Sequence, residues 1–280
     1  MYEVIFLWSL ALIYILFAVI QDVRTKEIAN WLNFSLIIFA LGFRFFYSLF
    51  ENNFSFFIQG AIGFAIFLVL GNLFYYTQIF AGGDAKLMIS LGAVLPYSSN
   101  FSLNLVSFLD FVLIFLVIGL CYTLLASLFL CIKNFKSFKR EFPIQFSKNK
   151  RIILIAFFLG LIFLSLGFFQ SIFFIISFSL FLIPLSYLYS KTIDESCMIK
   201  KIKTEKLREG DWLYSDEKIG KFVIKSSWDG LTKEEIRKLR KNFKEVRIRE
   251  GVQFSPVFLI SFIIFVIFYF FNFHLWNPFW

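Results

Sequence analysis

The sequence predicts an α-helical polytopic membrane protein, with about eight transmembrane helices and a small α+β cytoplasmic insert. Three observations predict it. Of 280 residues, 59% are apolar and 17% charged, with a mean hydropathy of +0.76, whereas soluble domains are near half apolar and a quarter charged. Apolar runs recur at the roughly 17–25 residues that about 30 Å of hydrocarbon requires. Basic residues gather between alternate runs rather than evenly along the chain. The same composition excludes disorder. Three scattered cysteines, Cys121, Cys131 and Cys197, exclude a disulfide framework or a CxxC zinc site and read as packing residues.

The runs fall at about 4–20, 31–50, 57–80, 84–98, 106–132, 151–168, 171–190 and 254–272. The charge-free stretch from Ile152 to Leu188 would be about 55 Å long as one helix, so it is divided near Gly167–Gln170. With the N-terminus outside, the inner loops are 21–30, 81–86, 133–150 and 191–251, and of the 28 Lys and Arg all but Arg44 lie on or beside that face. Removing the short fourth run, or the division of the long one, would put a basic cluster outside, against the positive-inside bias. The +9 charge is thereby a topology signal and a contact with anionic lipid headgroups, not a nucleic-acid surface. A multi-pass protein of the plasma membrane is expected. The first run has neither a basic n-region nor a small-residue cleavage site, so it is expected to remain. Arg44 is expected to snorkel to the outer interface, and Trp276 and Trp280 to join an interfacial aromatic belt. His274, the sole histidine, falls in the outer tail, away from any histidine-based catalysis.

Three regions follow: 1–190 as the transmembrane domain, 191–251 as a hydrophilic insert, and 252–280 as a final helix with an outer tail. The insert carries 17 basic and 12 acidic side chains, a net +5 (17 − 12) that leaves no evident acidic groove. Strands are expected near Gly210–Tyr214, Lys221–Lys225 and Val246–Arg249, with a helix from Leu231 to about Lys241. Thr232 and Glu235 have capping-box spacing at its start.

Outside the insert, acidic residues are scarce: Glu3, Asp22, Glu27, Glu51, Asp84, Asp110 and Glu141. Topology puts Asp22 at the inner end of the first helix and Asp84 at the inner start of the fourth, so two distant carboxylates can meet at one depth. Two carboxyls a few ångströms apart share a proton; the ionised one can take a proton from water while the other polarises a peptide carbonyl. Gly82 and Gly83 would allow tight turns and close approach of an extended strand. The helix N-terminus favours Asp84 as the anion. Asn30 is placed either to cap the second helix or to hold the Asp22 loop. Lys86, Arg24 and Lys26 either tune the pair or anchor the inner face. Asp110, without an evident partner, reads as a helix-end residue.

These segments, Asp22-Val23-Arg24-Thr25-Lys26-Glu27-Ile28-Ala29-Asn30 and Ala81-Gly82-Gly83-Asp84-Ala85-Lys86, resemble those of the archaeal type IV prepilin and preflagellin peptidases, GxGD membrane aspartic proteases. That family has patterns like D-x5-I-P-N and G-x-G-D followed by Ala-Lys. Ala29 stands here where Pro is usual, and Ala81 where the first Gly is usual. A second block, Gly210-Asp211-Trp212, Trp228-Asp229-Gly230-Leu231-Thr232, Val246–Arg249 and Phe254–Leu259, is similar to the C-terminal region of one archaeal subgroup. The resemblance implies Asp22 and Asp84 as catalytic residues. The substrates implied are prepilin-like or preflagellin precursors with a short basic leader and a hydrophobic helix, cut at the cytoplasmic face. The nucleophile implied is water, with no metal and no cofactor. Bacterial relatives add a four-cysteine zinc loop and methylate the new N-terminus; the cysteines for that are missing here.

Two alternatives use the same aspartates. An intramembrane protease of presenilin or signal-peptide-peptidase type would show Tyr-Asp and Gly-Leu-Gly-Asp contexts, which are absent. An ion-coupled transporter would bind cations at the helix ends. A membrane scaffold acting through 191–251 would need neither aspartate.

Overall fold

The computed structural model describes residues 2–219, 222–227, 230–273 and 275. Lys221, Trp228, Asp229, His274, Trp276 and Trp280, which figured in the expectations above, lie outside the described residues. The chain forms two compact units, 1–123 with 253–280, and 124–252.

The first unit opens with α1 (Tyr2–Thr25), whose buried residues Val4, Leu7, Trp8, Ala11, Ile15, Ala18 and Asp22 recur every three or four positions. That is the inward stripe of a helix, and Asp22 is its last member. α2 (Asn30–Phe50) buries Leu32, Leu36, Ala40, Arg44 and Ser48 at every fourth position, with Asn33 beside them. α3 (Ser55–Tyr76) and α4 (Gly82–Gly92) pack closely and antiparallel: Gly63 meets the carbonyl of Gly92, and Gly71 meets Ala85 and Ile89 of α4. A Cβ on Gly63 or Gly92 would overlap the other's backbone oxygen. Small residues allow such approach where lipid offers no hydrophobic drive between helices. α5 (Phe101–Lys133) and α9 (Ser255–Phe270) complete the apolar core, in which Phe111, Phe115, Phe258 and Phe262 are essentially inaccessible.

Six helices among the described residues are long and apolar enough to cross a membrane: α1, α2, α3, α5, α6 (Phe135–Leu166) and α7 (Ile172–Ser196). A polytopic membrane protein follows. Of the eight runs expected, α9 has 16 residues, about 24 Å, and α4 has 11, about 16 Å. The fourth run thus turns out to be a short helix followed by buried, non-helical backbone at Ala93–Pro96. The break expected near Gly167–Gln170 is present between α6 and α7. The basic stretch expected as a loop at 133–150 is instead largely helical, continuous with the apolar run after Arg151.

Arg44 overturns the snorkelling expectation, being fully buried. Its Nε donates to Ala93 O (2.8 Å), Nη2 to Val94 O (3.1 Å) and Pro96 O (2.5 Å), and Nη1 to Phe56 O (3.1 Å). The guanidinium also lies 4.2 Å from the Phe56 ring centroid. Non-helical backbone at this depth must find its hydrogen bonds inside the protein, and one five-donor fork supplies several at once. Asn104 does the same for the next residues. Its Oδ1 accepts from the amides of Tyr97 and Ser98 (both 3.0 Å), and its Nδ2 donates to Ser98 O (2.7 Å) and Gln59 Oε1 (2.9 Å). Asp110 also has a partner, accepting from the amide of Leu275 at 3.0 Å.

In the second unit α6 and α7 pack together, and after α7 comes a three-stranded antiparallel sheet. Its order is β1 (Ile199–Lys203), β5 (Glu245–Arg249), β2 (Trp212–Leu213), with Ile199 opposite Arg249 and Leu213 opposite Ile248. β3 (Glu217–Ile219) and β4 (Phe222–Ile224) form a separate hairpin. α8 (Lys233–Asn242) begins at the expected capping box, with Thr232 and Glu235 bonded reciprocally. Leu213, Leu231, Ile236, Leu239, Val246 and Ile248 form a core of their own. β1 and β3 were not expected, because Ile-Lys-Lys-Ile-Lys and Glu-Lys-Ile carry little apolar signal and no strict alternation. Asp194 and Glu195 at the end of α7 pair with Arg249, at 3.1 and 3.5 Å, and Tyr214 donates to Glu195 at 2.9 Å. These acids are therefore engaged within the unit.

Candidate active site

The first unit brings the two motif segments together. At the foot of α1, Asp22 is 9% exposed. The chain then leaves the helix through Lys26, which takes a left-handed backbone (φ 60°). The loop closes on itself. Thr25 Oγ1 donates to Gln21 O (2.8 Å) and Glu27 O (3.1 Å), and the Ala29 amide donates to Gln21 Oε1 (3.0 Å). Ala29 is the N-cap of α2, with φ −64° and ψ 136°, a conformation proline also adopts. Ala29 keeps an N–H that proline lacks, and Gln21 uses it.

On the other side, Gly82 and Gly83 are the first two residues of α4 and do not adopt positive φ. No left-handed backbone therefore accounts for glycine at these two positions. What Gly83 provides is room: a Cβ there would lie 3.3 Å from Ile28 Cβ, so the isoleucine of the first motif packs on the glycine of the second. Ala81, in place of a glycine, has φ −68° and ψ 159°, which any L-residue accepts. Asp84 is the third residue of α4, half-buried, and its carboxylate accepts from the Ala81 amide. This satisfies one of the orphan amides at the helix start.

The second tie between motifs is polar. Lys86 Nζ donates to Asn30 Oδ1 at 2.6 Å. Asn30 is the first residue of α2, after the N-cap Ala29, and this bond joins it to α4. With α1, α2 and α4 joined in this way, the charge of Asp22 acts on Asp84.

Three contributors escaped the sequence reading. Gln21 adjoins Asp22, but nothing marks its side chain as the loop's acceptor. Phe80 is 3% exposed, under the loop that leads into α4, with Phe74, Phe115, Phe254 and Phe258 ring centroids 4.8–6.0 Å away. Its position just before the Ala-Gly-Gly-Asp stretch was a usable signal. Tyr122 donates to Gln253 O at 2.9 Å, tying α5 to the segment before α9. Its distance in sequence from both motifs left no signal. Among the described residues, no group of three or more His, Cys, Asp or Glu could hold a metal.

Fold and site together define a polytopic helical membrane protein with two acidic side chains gathered from separate segments. Residues 8–132, which include both motifs, match the Type IV leader peptidase family. The chain is 33% identical over 82 residues to a preflagellin peptidase of Methanococcus maripaludis, covering 29% of this chain and 35% of that one. It is 32% identical over 82 residues to a preflagellin peptidase of Methanocaldococcus jannaschii, with the same 29% and 35% coverage. A preflagellin peptidase of Methanococcus voltae is 29% identical over 89 residues, covering 32% of this chain and 38% of that one. The aligned region thus spans a little over a third of each of these relatives. No solved structure matches. The resemblance read from the Asp22 and Asp84 segments is borne out, while the block from Gly210 to Leu259 lies outside the residues matched by the family.

Proposed function

We propose that this protein is a membrane aspartic endopeptidase that removes the short basic leader of prepilin-like or preflagellin-like precursors at the cytoplasmic face. The observation that carries the reading is the double tie between the motif segments, Ile28 on Gly83 and Lys86 on Asn30. It gives the Asp22–Asp84 pair a structural reason to exist.

In this mechanism one carboxyl is ionised and the other protonated, as expected for two acids sharing a site. The protonated carboxyl donates to the scissile carbonyl oxygen. The ionised carboxylate accepts a proton from water as its oxygen attacks the carbonyl carbon. As the C–N bond breaks, the carboxyl that took water's proton passes it to the leaving amine, and the other carboxylate takes a proton back from a hydroxyl of the tetrahedral intermediate. Each carboxyl thereby returns to its starting state, and no covalent enzyme intermediate forms. The loop around Lys26 and the start of α4 would lie on the inner face with the basic loops. The regional division is part of the same reading: 1–190 carries the site, 191–251 is a cytoplasmic insert and 252–280 ends in a final helix.

Asp22→Asn and Asp84→Asn, each in well-expressed protein, are expected to lower leader removal at least about 10³-fold, as loss of an essential acid or base requires. The measurement is incubation with precursor in membranes, followed by sequencing of the product N-terminus. Cleavage retained in either variant overturns the mechanism, and a cut inside the hydrophobic helix would instead favour an intramembrane protease.

A further inference from the structure

Six cations lie in the first half of α6: Lys136, Lys139, Arg140, Lys148, Lys150 and Arg151. All are exposed, and among the described residues none has an ion pair or a side-chain hydrogen bond. Elsewhere in the second unit, Lys191, Lys200, Lys201 and Arg249 each meet an acid. The acid within the stretch, Glu141, is engaged by Gln145 Nε2 at 2.8 Å. At about 100° per residue, Lys136, Lys139, Arg140, Lys150 and Arg151 fall within about 120° of arc. Phe135, Phe138, Phe142 and Phe146 fall within about 80° beside them. Phe138 turns to Tyr189 of α7, with ring centroids 6.0 Å apart, whereas Phe135 and Phe142 remain exposed.

The contacts of this segment also fix its direction. Further along, α6 and α7 run antiparallel and side by side. Phe157 meets Phe181 at 5.4 Å, Ser177 donates to Gly160 O at 2.8 Å, and Phe163 meets Phe173 at 5.7 Å. The helix from Phe157 back to Phe138 is about 28 Å long, but that from Phe181 to Tyr189 is only about 12 Å. Helices that stayed side by side would carry Phe138 about 16 Å past Tyr189, beyond the reach of the ring contact between them. The first half of α6 therefore runs across α7 and not along it. Pro143, which removes a helical hydrogen bond, falls inside that half. The crossing lies at Tyr189, where the uncharged run of α7 is about to end at Lys191.

A helix that crosses a membrane-spanning neighbour at the end of its apolar run lies along the membrane surface. Exposed phenylalanines beside a row of exposed cations suit that position, because the rings enter the acyl boundary while the cations meet headgroup phosphates. We infer that the first half of α6 is a surface-lying helix that docks on anionic phospholipid headgroups. A nucleic acid or an acidic protein would also answer the charge. The segment leaves α7 at the depth of the bilayer surface, however, where headgroups are already present, and neither of those would take up the exposed rings. The inference concerns the second unit alone and does not rest on the peptidase reading.

The full chain in vesicles provides the test. Phe135→Cys, in a variant lacking the three native cysteines, carries an environment-sensitive fluorophore, and the vesicles are phosphatidylcholine alone or mixed with phosphatidylglycerol. Expected is a blue-shifted emission in the anionic vesicles that weakens without phosphatidylglycerol or at high salt. Lys136→Gln, Lys139→Gln and Arg140→Gln together should lower the apparent affinity for anionic lipid about a hundredfold, at about fivefold for each cation, and so abolish the shift. The Tm of that variant in neutral detergent should match that of the unsubstituted protein, since none of the three cations has a partner within it. A lowered Tm would make them structural and overturn the proposal. Water-like emission in both kinds of vesicle would place the helix in solvent, as a nucleic-acid or acidic-protein partner requires, and would overturn it too. So would a blue shift indifferent to lipid charge and to the substitutions, because the phenylalanines alone would then hold the segment.

Discussion

At the scale of single residues, both departures from the family patterns have a physical account. Ala29 keeps the φ that a proline would fix and adds an amide that Gln21 accepts. Ala81 occupies extended backbone where a glycine is not needed. The Lys86–Asn30 bond is different, because it is exposed and therefore contributes little to global stability. Its effect should appear in activity. Lys86→Met and Asn30→Ala are each expected to lower kcat/KM about tenfold while leaving Tm nearly unchanged. The double variant should be no worse than either single one, since both remove the same bond. A cycle of kcat/KM values checks this; additive losses would mean that the two side chains act separately.

At the scale of elements, α4 is a short rod fixed at both ends. Ile28 and Asn30 hold its start, and Arg44 holds the carbonyls just beyond its last turn. A cation there also suits the helix dipole. Arg44→Leu would leave several buried carbonyls unpaired, at about 1–3 kcal/mol each, so a loss of at least about 3 kcal/mol is expected. Arg44→Lys should recover only part, because an ammonium cannot reach the same set of acceptors. Thermal or denaturant unfolding in detergent measures both. Little of this was legible in the sequence. Asp22 and Asp84 stood out because acids are rare in apolar helices, and Thr232 with Glu235 because a cap is local. Arg44 instead bonds to residues 49 to 52 positions away, and an isolated cation in an apolar run gives no hint of which backbone it will meet. The same long range explains why 84–98 reads as a full span: its hydropathy is continuous, but the carbonyls that end the helix are claimed from α2.

At the scale of the whole chain, the helical membrane class was legible from composition and run length alone, because hydrocarbon thickness sets a minimum for both. Sidedness rests on charge. If the positive-inside reading holds, a single cysteine at Ser226 of the insert, in a variant lacking the three native cysteines, is expected to resist a membrane-impermeant thiol reagent in intact cells. It should react after lysis. A cysteine at Asn52, between α2 and α3, should react in intact cells. The reverse pattern would invert the topology and remove the candidate site from the cytoplasmic face.

The Arg44 bracket also constrains how the protein is made. α2 enters the membrane during synthesis carrying a cation, at a cost of up to about 2.5–3.5 kcal/mol at a helix centre. Three of its carbonyl partners, on Ala93, Val94 and Pro96, lie 49 to 52 residues further along the chain and reach the membrane after it. Until they emerge, the second helix is held by its apolar residues against the pull of its own charge. The arrival of the segment after α4 therefore converts a reluctant span into a locked one, and the stretch that seats Asp84 also completes the insertion of the helix beside it.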